Sequence, residues 1–184
     1  NNFANSSGTI YASGNNVTIL DSTFSDNVAA GTSAIENHAD VMTIERCTFS
    51  NNTGYEVIDN HGGDHLTIIN STISGNQGSG IHTYDDLKIL NSTITENYGG
   101  SRGGGLDIST GSDSPLVEVE NTIITKNTSL YTGPNVDGPV TSLGHNLIDD
   151  ATGSTGFGTT GDLIGVDPKL APLGFGGGLT QTHA

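Results

Sequence analysis

LTIINSTISGN at residues 66–76 and LKILNSTITEN at residues 87–97 are two copies of one phrase. Further copies surround them: VTILDSTFSDN at 17–27, MTIERCTFSNN at 42–52 and VEVENTIITKN at 117–127. A degenerate copy begins at Thr141 and contains Gly144-His145-Asn146-Leu147-Ile148. The starts lie 25, 24, 21, 30 and 24 residues apart. Ala, Leu, Glu and Lys are scarce, whereas Asn, Thr, Ser, Gly and Ile dominate, so the copies read as short strands rather than helices. A strand-rich repeat of this length points to a β-solenoid, one copy to a coil.

Stacking the copies turns positions into columns. Two places into each copy stand Ile19, Ile44, Ile68, Ile89, Val119 and Leu143; seven places in stand Phe24, Phe49, Ile73, Ile94, Ile124 and Ile148. In-register parallel strands set equivalent side chains about 4.8 Å apart, so each column is expected to pack on itself inside a tube. Five places in stand Ser22, Cys47, Ser71, Ser92 and Thr122, small residues expected to face inward at a corner. Cys47 is the only cysteine; its column makes it a buried small residue, and no disulfide framework is available. Ten places in stand Asn27, Asn52, Asn76, Asn97 and Asn127. Asn tolerates a left-handed turn and its amide bonds the same amide one coil away, so these are expected to close a corner as an asparagine ladder. A second strand carries Ile10, Ile35, Ile58, Ile81, Leu106 and Val136 in another inward column.

The architecture expected is all-β: a single-stranded parallel β-helix of about six coils over residues 1–148, its first coil truncated. Residues 149–184 are expected as an irregular Gly/Thr/Pro-rich segment packing on the last coil, since a solenoid end exposes strand edges that need covering. The chain has 184 residues, 5 Lys+Arg and 20 Asp+Glu, for a net charge of −15. So few cations exclude a nucleic-acid binder, and no apolar run approaches the roughly 18 residues of a membrane span. The chain opens on Asn, without a signal peptide, and reads as a processed piece of something longer. An acidic, Asn/Thr/Gly-rich composition with one cysteine fits an extracellular or cell-surface setting.

The copies resemble the coils of right-handed parallel β-helices in the pectate-lyase-like superfamily. Phe24-Ser25-Asp26-Asn27 and Phe49-Ser50-Asn51-Asn52 are similar to the F-x-x-N repeat of chlamydial polymorphic outer-membrane proteins and related bacterial surface proteins. Gly103-Gly104-Gly105-Leu106 and Ser33-Ala34-Ile35 approximate their companion G-G-A-[ILV] motif. The ending, from Gly144-His145-Asn146-Leu147-Ile148 through GVDPKLAPL and LTQTHA, resembles the region before the end of bacterial choice-of-anchor β-helix proteins. The resemblance implies a right-handed β-helix on a bacterial surface; it carries fold more than activity.

Enzymes on this fold act mostly on acidic polysaccharides and need Arg or Lys to hold uronate carboxylates. This chain offers Arg46, Arg102, Lys88, Lys126 and Lys169, of which only Arg102 sits in a loop beside polar partners. No lyase, galacturonase or epimerase motif is legible, and no catalytic residue is assigned. Directly after the second-strand column come Tyr11, Glu36, Asp59, His82, Asp107 and Asp137, which alternation turns outward. Carboxylates such as Glu36 and Asp59, one rung apart, repel by roughly 3–4 kcal/mol at an effective dielectric near 20. The column is therefore hydrated, partly protonated or bridged by a cation. Glu36, Asp59, His82 and Asp107 form the candidate ligand-binding face; no cofactor is required, and Ca2+ is the candidate ion. His38, His61 and Tyr84 extend the face. His61 and His65 flank Gly62-Gly63-Asp64, but with no Cys partner or helix to fix the spacing this stretch reads as a hydrated loop.

Two readings of function remain. The first is a non-catalytic β-helical surface rod acting in adhesion, display or self-assembly, its partners a glycan, a host or neighbouring surface protein, or a second copy joined head to tail. The alternative is a carbohydrate-active module, a polysaccharide lyase, a glycoside hydrolase or a polysaccharide binder, working on the acidic face. A walled cleft with convergent polar groups distinguishes them, and the excursions 98–105 and 107–115 are the candidate walls.

Overall fold

Ile19 pairs with Ile44, Ile44 with Ile68, Ile68 with Ile89 and Ile89 with Val119, all in parallel register. In this computed structural model, which describes residues 2–5, 8–111 and 114–184, that file runs the length of a β-solenoid of about six coils. Asn1, Ser6 and Ser7 of the expected first coil, and Ser112 and Asp113 of the loop after Asp107, lie outside the described residues. Among the described residues every regular element is a strand, and no helix is long and apolar enough to cross a membrane.

Each coil presents three faces. The first face stacks residues 17–20, 41–45, His65–Ile69, Asp86–Leu90, Val117–Glu120 and Thr141–Gly144. The second stacks Thr23–Ser25, Thr48–Ser50, Thr72–Ser74, Thr93–Thr95, Ile123–Thr125, Leu147–Ile148 and Leu163–Ile164. The third stacks residues 10–13, 35–37, Thr53–Asn60, Gln77–Thr83, Leu106–Ile108, Val136–Pro139 and Ser154–Thr155. On the second face Phe24, Phe49, Ile73, Ile94, Ile124 and Ile148 stand in one file, and the Phe24 and Phe49 rings stack at 4.9 Å. Ile10, Ile35, Ile58, Ile81, Leu106 and Val136 form the file of the third. Ile44, Ile68, Ile89, Ile35, Ile58 and Ile81 are fully buried, and each contributes roughly 1.5–3 kcal/mol by leaving water. β-branched side chains suit such files because their few rotamers repeat without clash.

Leu143 departs from its expected column. Val119 pairs with Ser142 and Glu120 with Gly144, so the register shifts by one residue and Leu143 turns outward, 40% exposed. Gly144 makes the shift with φ of 107°, a conformation an L side chain resists.

The corners hold left-handed residues in register. Asp21, Arg46, Asn70, Asn91, Asn121 and His145 turn the chain from the first face to the second, with φ between 47° and 60°. Asp26, Asn51, Gly75, Glu96 and Lys126 turn it toward the third. The ladder asparagines thus follow the left-handed residue and do not occupy that conformation themselves, which corrects the expected role of Asn as the turn former. Their side chains run along the axis. Asn27, Asn52, Asn76 and Asn97 each donate from Nδ2 to Oδ1 of the next asparagine, at 2.9, 3.0, 2.7 and 2.9 Å, ending on Asn127. Asn127 passes the chain of amides to Asn135 Oδ1 at 3.0 Å. A second ladder stands at the other corner: the backbone N–H groups of Cys47, Ser71 and Ser92 donate to the hydroxyls of Ser71, Ser92 and Thr122. Cys47 is buried in that column and its thiol is pushed above its ordinary pKa by burial.

Beyond Asp149 the chain does more than cover the last coil. Ser154–Thr155 pairs with Gly138 and Pro139, and Leu163–Ile164 with Leu147 and Ile148, which adds a partial coil. The final residues then run back along the outside of the second face. Thr48 Oγ1 donates to Gln181 O, Thr72 Oγ1 to Thr182 Oγ1 at 3.3 Å, and Ser74 Oγ meets His183 Nε2 at 2.8 Å. The hydroxyls of the repeat itself hold this tail.

Candidate functional site

Tyr11, Glu36, Asp59, His82, Asp107 and Asp137 pair in register along the third face, so the expected outward column exists as one file. It is less hydrated than alternation alone suggests: His82 and Asp107 are each only 7% exposed. The cause is the chain above them. Residues 98–102 leave the coil after Tyr98, which donates its N–H to Asn76 O, and turn at Gly100 with φ of 64°. They return through Gly103, where the backbone of Leu106 leaves no room for a side chain, and through Gly104 and Gly105, where the next coil comes too close; a Cβ at Gly105 would stand 2.5 Å from Asn135 O.

The excursion walls a groove of about 490 Å3 lined by Tyr55, Tyr84, Tyr98, Arg102, Glu56, His82 and Asp107 along with Gln77 and small residues. A second depression of about 540 Å3 adjoins it, shares Tyr84, Arg102 and Asp107, and reaches Asp137. Of the chain's 5 tyrosines, the groove takes Tyr55, Tyr84 and Tyr98, and the chain has no Trp.

His82 is the hub. Its Nδ1 lies 3.3 Å from Asp59 Oδ1 and 3.9 Å from Glu56 Oε1; its Nε2 lies 3.8 Å from Asp107 Oδ2 and 3.1 Å from Ser109 Oγ. Tyr84 packs edge-on against the ring at 4.5 Å. Both ring nitrogens face carboxylate oxygens, an arrangement that favours the imidazolium. Burial opposes that charge, yet the carboxylates of Asp59, Asp107 and Glu56 outweigh it, and the His82 pKa is raised. Burial first, and then the Asp59 charge, pushes the Glu56 carboxyl up. Burial also raises Asp107, against the pull of His82 and Arg102. The groove therefore holds two carboxyls readier to keep a proton than ordinary carboxylates, on either side of one imidazole.

Among the expected residues, His82 and Asp107 line the groove and Asp59 reaches it through His82, whereas Glu36 stands outside and approaches His38, Oε1 to Nε2 at 3.0 Å. Glu56, Tyr55 and Tyr98 were not legible as site residues. Glu56 has the wrong parity for the outward column, but Val57 and Ile58 are both fully buried. That pair of consecutive inward residues breaks the alternation and brings Glu56 to the side of Asp59; the strand pairing shifts register just before it, where Gln77 and Ser79 face Thr53 and Glu56. The signal was the doublet Val57-Ile58 itself.

A family model described as "Right handed beta helix region" matches residues 1–150. No curated protein and no solved structure matches the chain.

Proposed function

The chain belongs to the right-handed β-helix family, and from that premise we propose that it is a glycan-binding protein whose groove takes an uncharged oligosaccharide. The observation that carries the reading is the gathering of Tyr55, Tyr84 and Tyr98 with Arg102, His82 and Asp107 in one groove. The exposed rings of Tyr55 and Tyr84 and the half-buried ring of Tyr98 offer flat apolar faces with a polar tip, and the carboxylates and Arg102 offer acceptors and donors for hydroxyls. Glu56, Asp59, Asp107 and Asp137 make the surroundings acidic, and a net charge of −15 disfavours a uronate chain. An extracellular or cell-surface setting, in which a rigid rod displays such a groove for adhesion, belongs to the same proposal.

The test is calorimetric titration with neutral and uronate oligosaccharides. Neutral chains are expected to bind, and Tyr55→Ala and Tyr98→Ala to weaken binding by about tenfold each, the ordinary loss for a truncated aromatic anchor. Absence of neutral-glycan binding, or binding indifferent to both substitutions, overturns the reading.

A second reading, glycoside hydrolysis in the same groove, rests on Glu56 and Asp107, whose raised pKa values suit proton donation to a leaving oxygen. Release of reducing ends that vanishes in Asp107→Asn and Glu56→Gln while binding persists would carry it; binding without turnover leaves a lectin-like module.

A further inference from the structure

We infer that Glu36, His38 and His61 form a binding site for a divalent transition-metal ion of borderline softness, with Zn2+ the best fit, and that Asp59 supports it from outside. Each of the three offers one donor atom, and these atoms lie within 4.8 Å of one another. His38 Nε2 and Glu36 Oε1 are 3.0 Å apart. Bonds of about 2.0–2.1 Å to a tetrahedral Zn2+ set ligand atoms roughly 3.3 Å apart, so this edge of the polyhedron is nearly in place. The third donor, within 4.8 Å of both, has to close on them for coordination.

The fold holds the rings for this task. Tyr11 stacks on His38 at 4.8 Å, and His38 meets His61 edge-on at 4.1 Å. Tyr84 closes the row beyond His61 at 5.9 Å. Gly62 lets the backbone pass close to His38; a Cβ there would stand 3.1 Å from Nδ1. Asp59 Oδ2 stands 3.0 Å from His61 Nδ1, the place from which a carboxylate fixes the tautomer of a ligating imidazole and leaves Nε2 for the metal. His61 Nδ1 is a buried atom without an aligned hydrogen bond among the described residues, so Asp59 is the group within reach of its N–H once the ring turns to present Nε2 to an ion.

Donor chemistry selects the ion. Two imidazoles and one carboxylate suit Zn2+ and its neighbours, whereas Ca2+ takes six to eight oxygens, so the cation expected on this face changes from calcium to zinc. His61 works here with His38 one coil away, and the stretch from His61 to His65 keeps its reading as a loop. The side chains of Glu36, His38 and His61 are 18%, 23% and 37% exposed, so the ion has a route in, and a fourth position stays open to water or a ligand as in three-ligand zinc sites. This site adjoins the sugar groove through Asp59 and Tyr84 but does not rest on the glycan reading.

The experiment is calorimetric titration of the full chain with ZnCl2 alone and with CaCl2 alone. One equivalent of Zn2+ is expected to bind, with affinity lost at least a hundredfold in His38→Ala and in His61→Ala and unchanged in His65→Ala. Asp59→Asn is expected to weaken binding about 10–100-fold, the usual effect of removing an outer carboxylate. Far-ultraviolet circular dichroism checks that each variant folds. In the unaltered chain, the ring resonances of His38 and His61 are expected to move with Zn2+ while those of His65, His145 and His183 stay. No Zn2+ binding, binding that survives both ligand substitutions, shifts centred on the other histidines, or Ca2+ binding of equal strength each overturns the assignment.

Discussion

His82 and Asp107 face one another across adjacent coils, Nε2 3.8 Å from Oδ2, with both side chains about nine-tenths buried. A parallel register puts them side by side, and the excursion 98–102 removes them from bulk water. An acidic file that open solvent would screen becomes a set of coupled charges with consequences for pH.

Stability is expected to peak in mildly acidic solution. The His82 pKa is raised above its ordinary 6.5, so its contribution is complete below 6.5 and is lost as pH rises through the higher folded value. Glu56 and Asp107 are raised from 4.5 and 3.8 and carry the same sign, favouring the fold below those values and weakening as pH climbs. Asp162 has the opposite sign. Hydrogen bonds from Ser142 and from the N–H groups of Asn146, Gly158 and Thr159 overcome its burial and hold it at about 2 against an ordinary 3.8, so its stabilisation is lost as pH falls toward 2. Thermal melting followed from pH 3 to 8 should fall between pH 6.5 and 8, and His82→Asn should flatten that limb. A melting temperature that climbs steadily to pH 8 contradicts the charge arrangement.

Asn76 stands in the middle of the ladder. Its Nδ2 donates to Asn97 Oδ1 at 2.7 Å and to Phe49 O at 3.1 Å, and its Oδ1 accepts from Asn52 N and Nδ2 at 2.8 and 3.0 Å. Asn76→Ala leaves several of these buried groups unpaired, so a loss of about 3 kcal/mol or more is expected from urea unfolding. A loss under about 1 kcal/mol would mean that the ladder is decorative.

Ile68 and Leu143 separate the true column from its apparent continuation. Ile68→Ala, at a fully buried position, should cost about 2–5 kcal/mol. Leu143→Ala, on the outside of the register shift, should stay within about 0.5 kcal/mol. Equal losses would place Leu143 back in the core.

The returning tail should be separable from the solenoid. Truncation after Lys169 removes the partners of Thr48, Thr72 and Ser74 without touching a buried apolar file. Hydrogen exchange is expected to quicken at 48–50 and 72–74 while 66–69 and 87–90 keep their protection. Global unfolding on truncation would show that the tail is part of the core.

The columns Ile19–Val119, Phe24–Ile148 and Ile10–Val136 were legible because stacked coils force equivalent positions to share one environment, and the sequence repeats that environment. What was not legible lies where the repeat breaks. Leu143 was misplaced because a glycine bulge follows it, and Glu56 was missed because Val57 and Ile58 face inward together. The left-handed corners escaped notice because Asp21, Arg46, Asn70, Asn91, Asn121 and His145 share a conformation but no chemistry. His38 and His61 are 23 residues apart, and only the coil length between them makes them neighbours. The tail at 180–183 carries no repeat signal, and its partners are hydroxyls that recur on several coils.

The most direct measurement is an NMR footprint of a bound neutral oligosaccharide on the isotope-labelled chain. The expected result is a set of amide shifts confined to residues 54–56, 77–84 and 98–107, the elements that line the groove. Shifts absent there, or clustered on the first or second face, contradict the account.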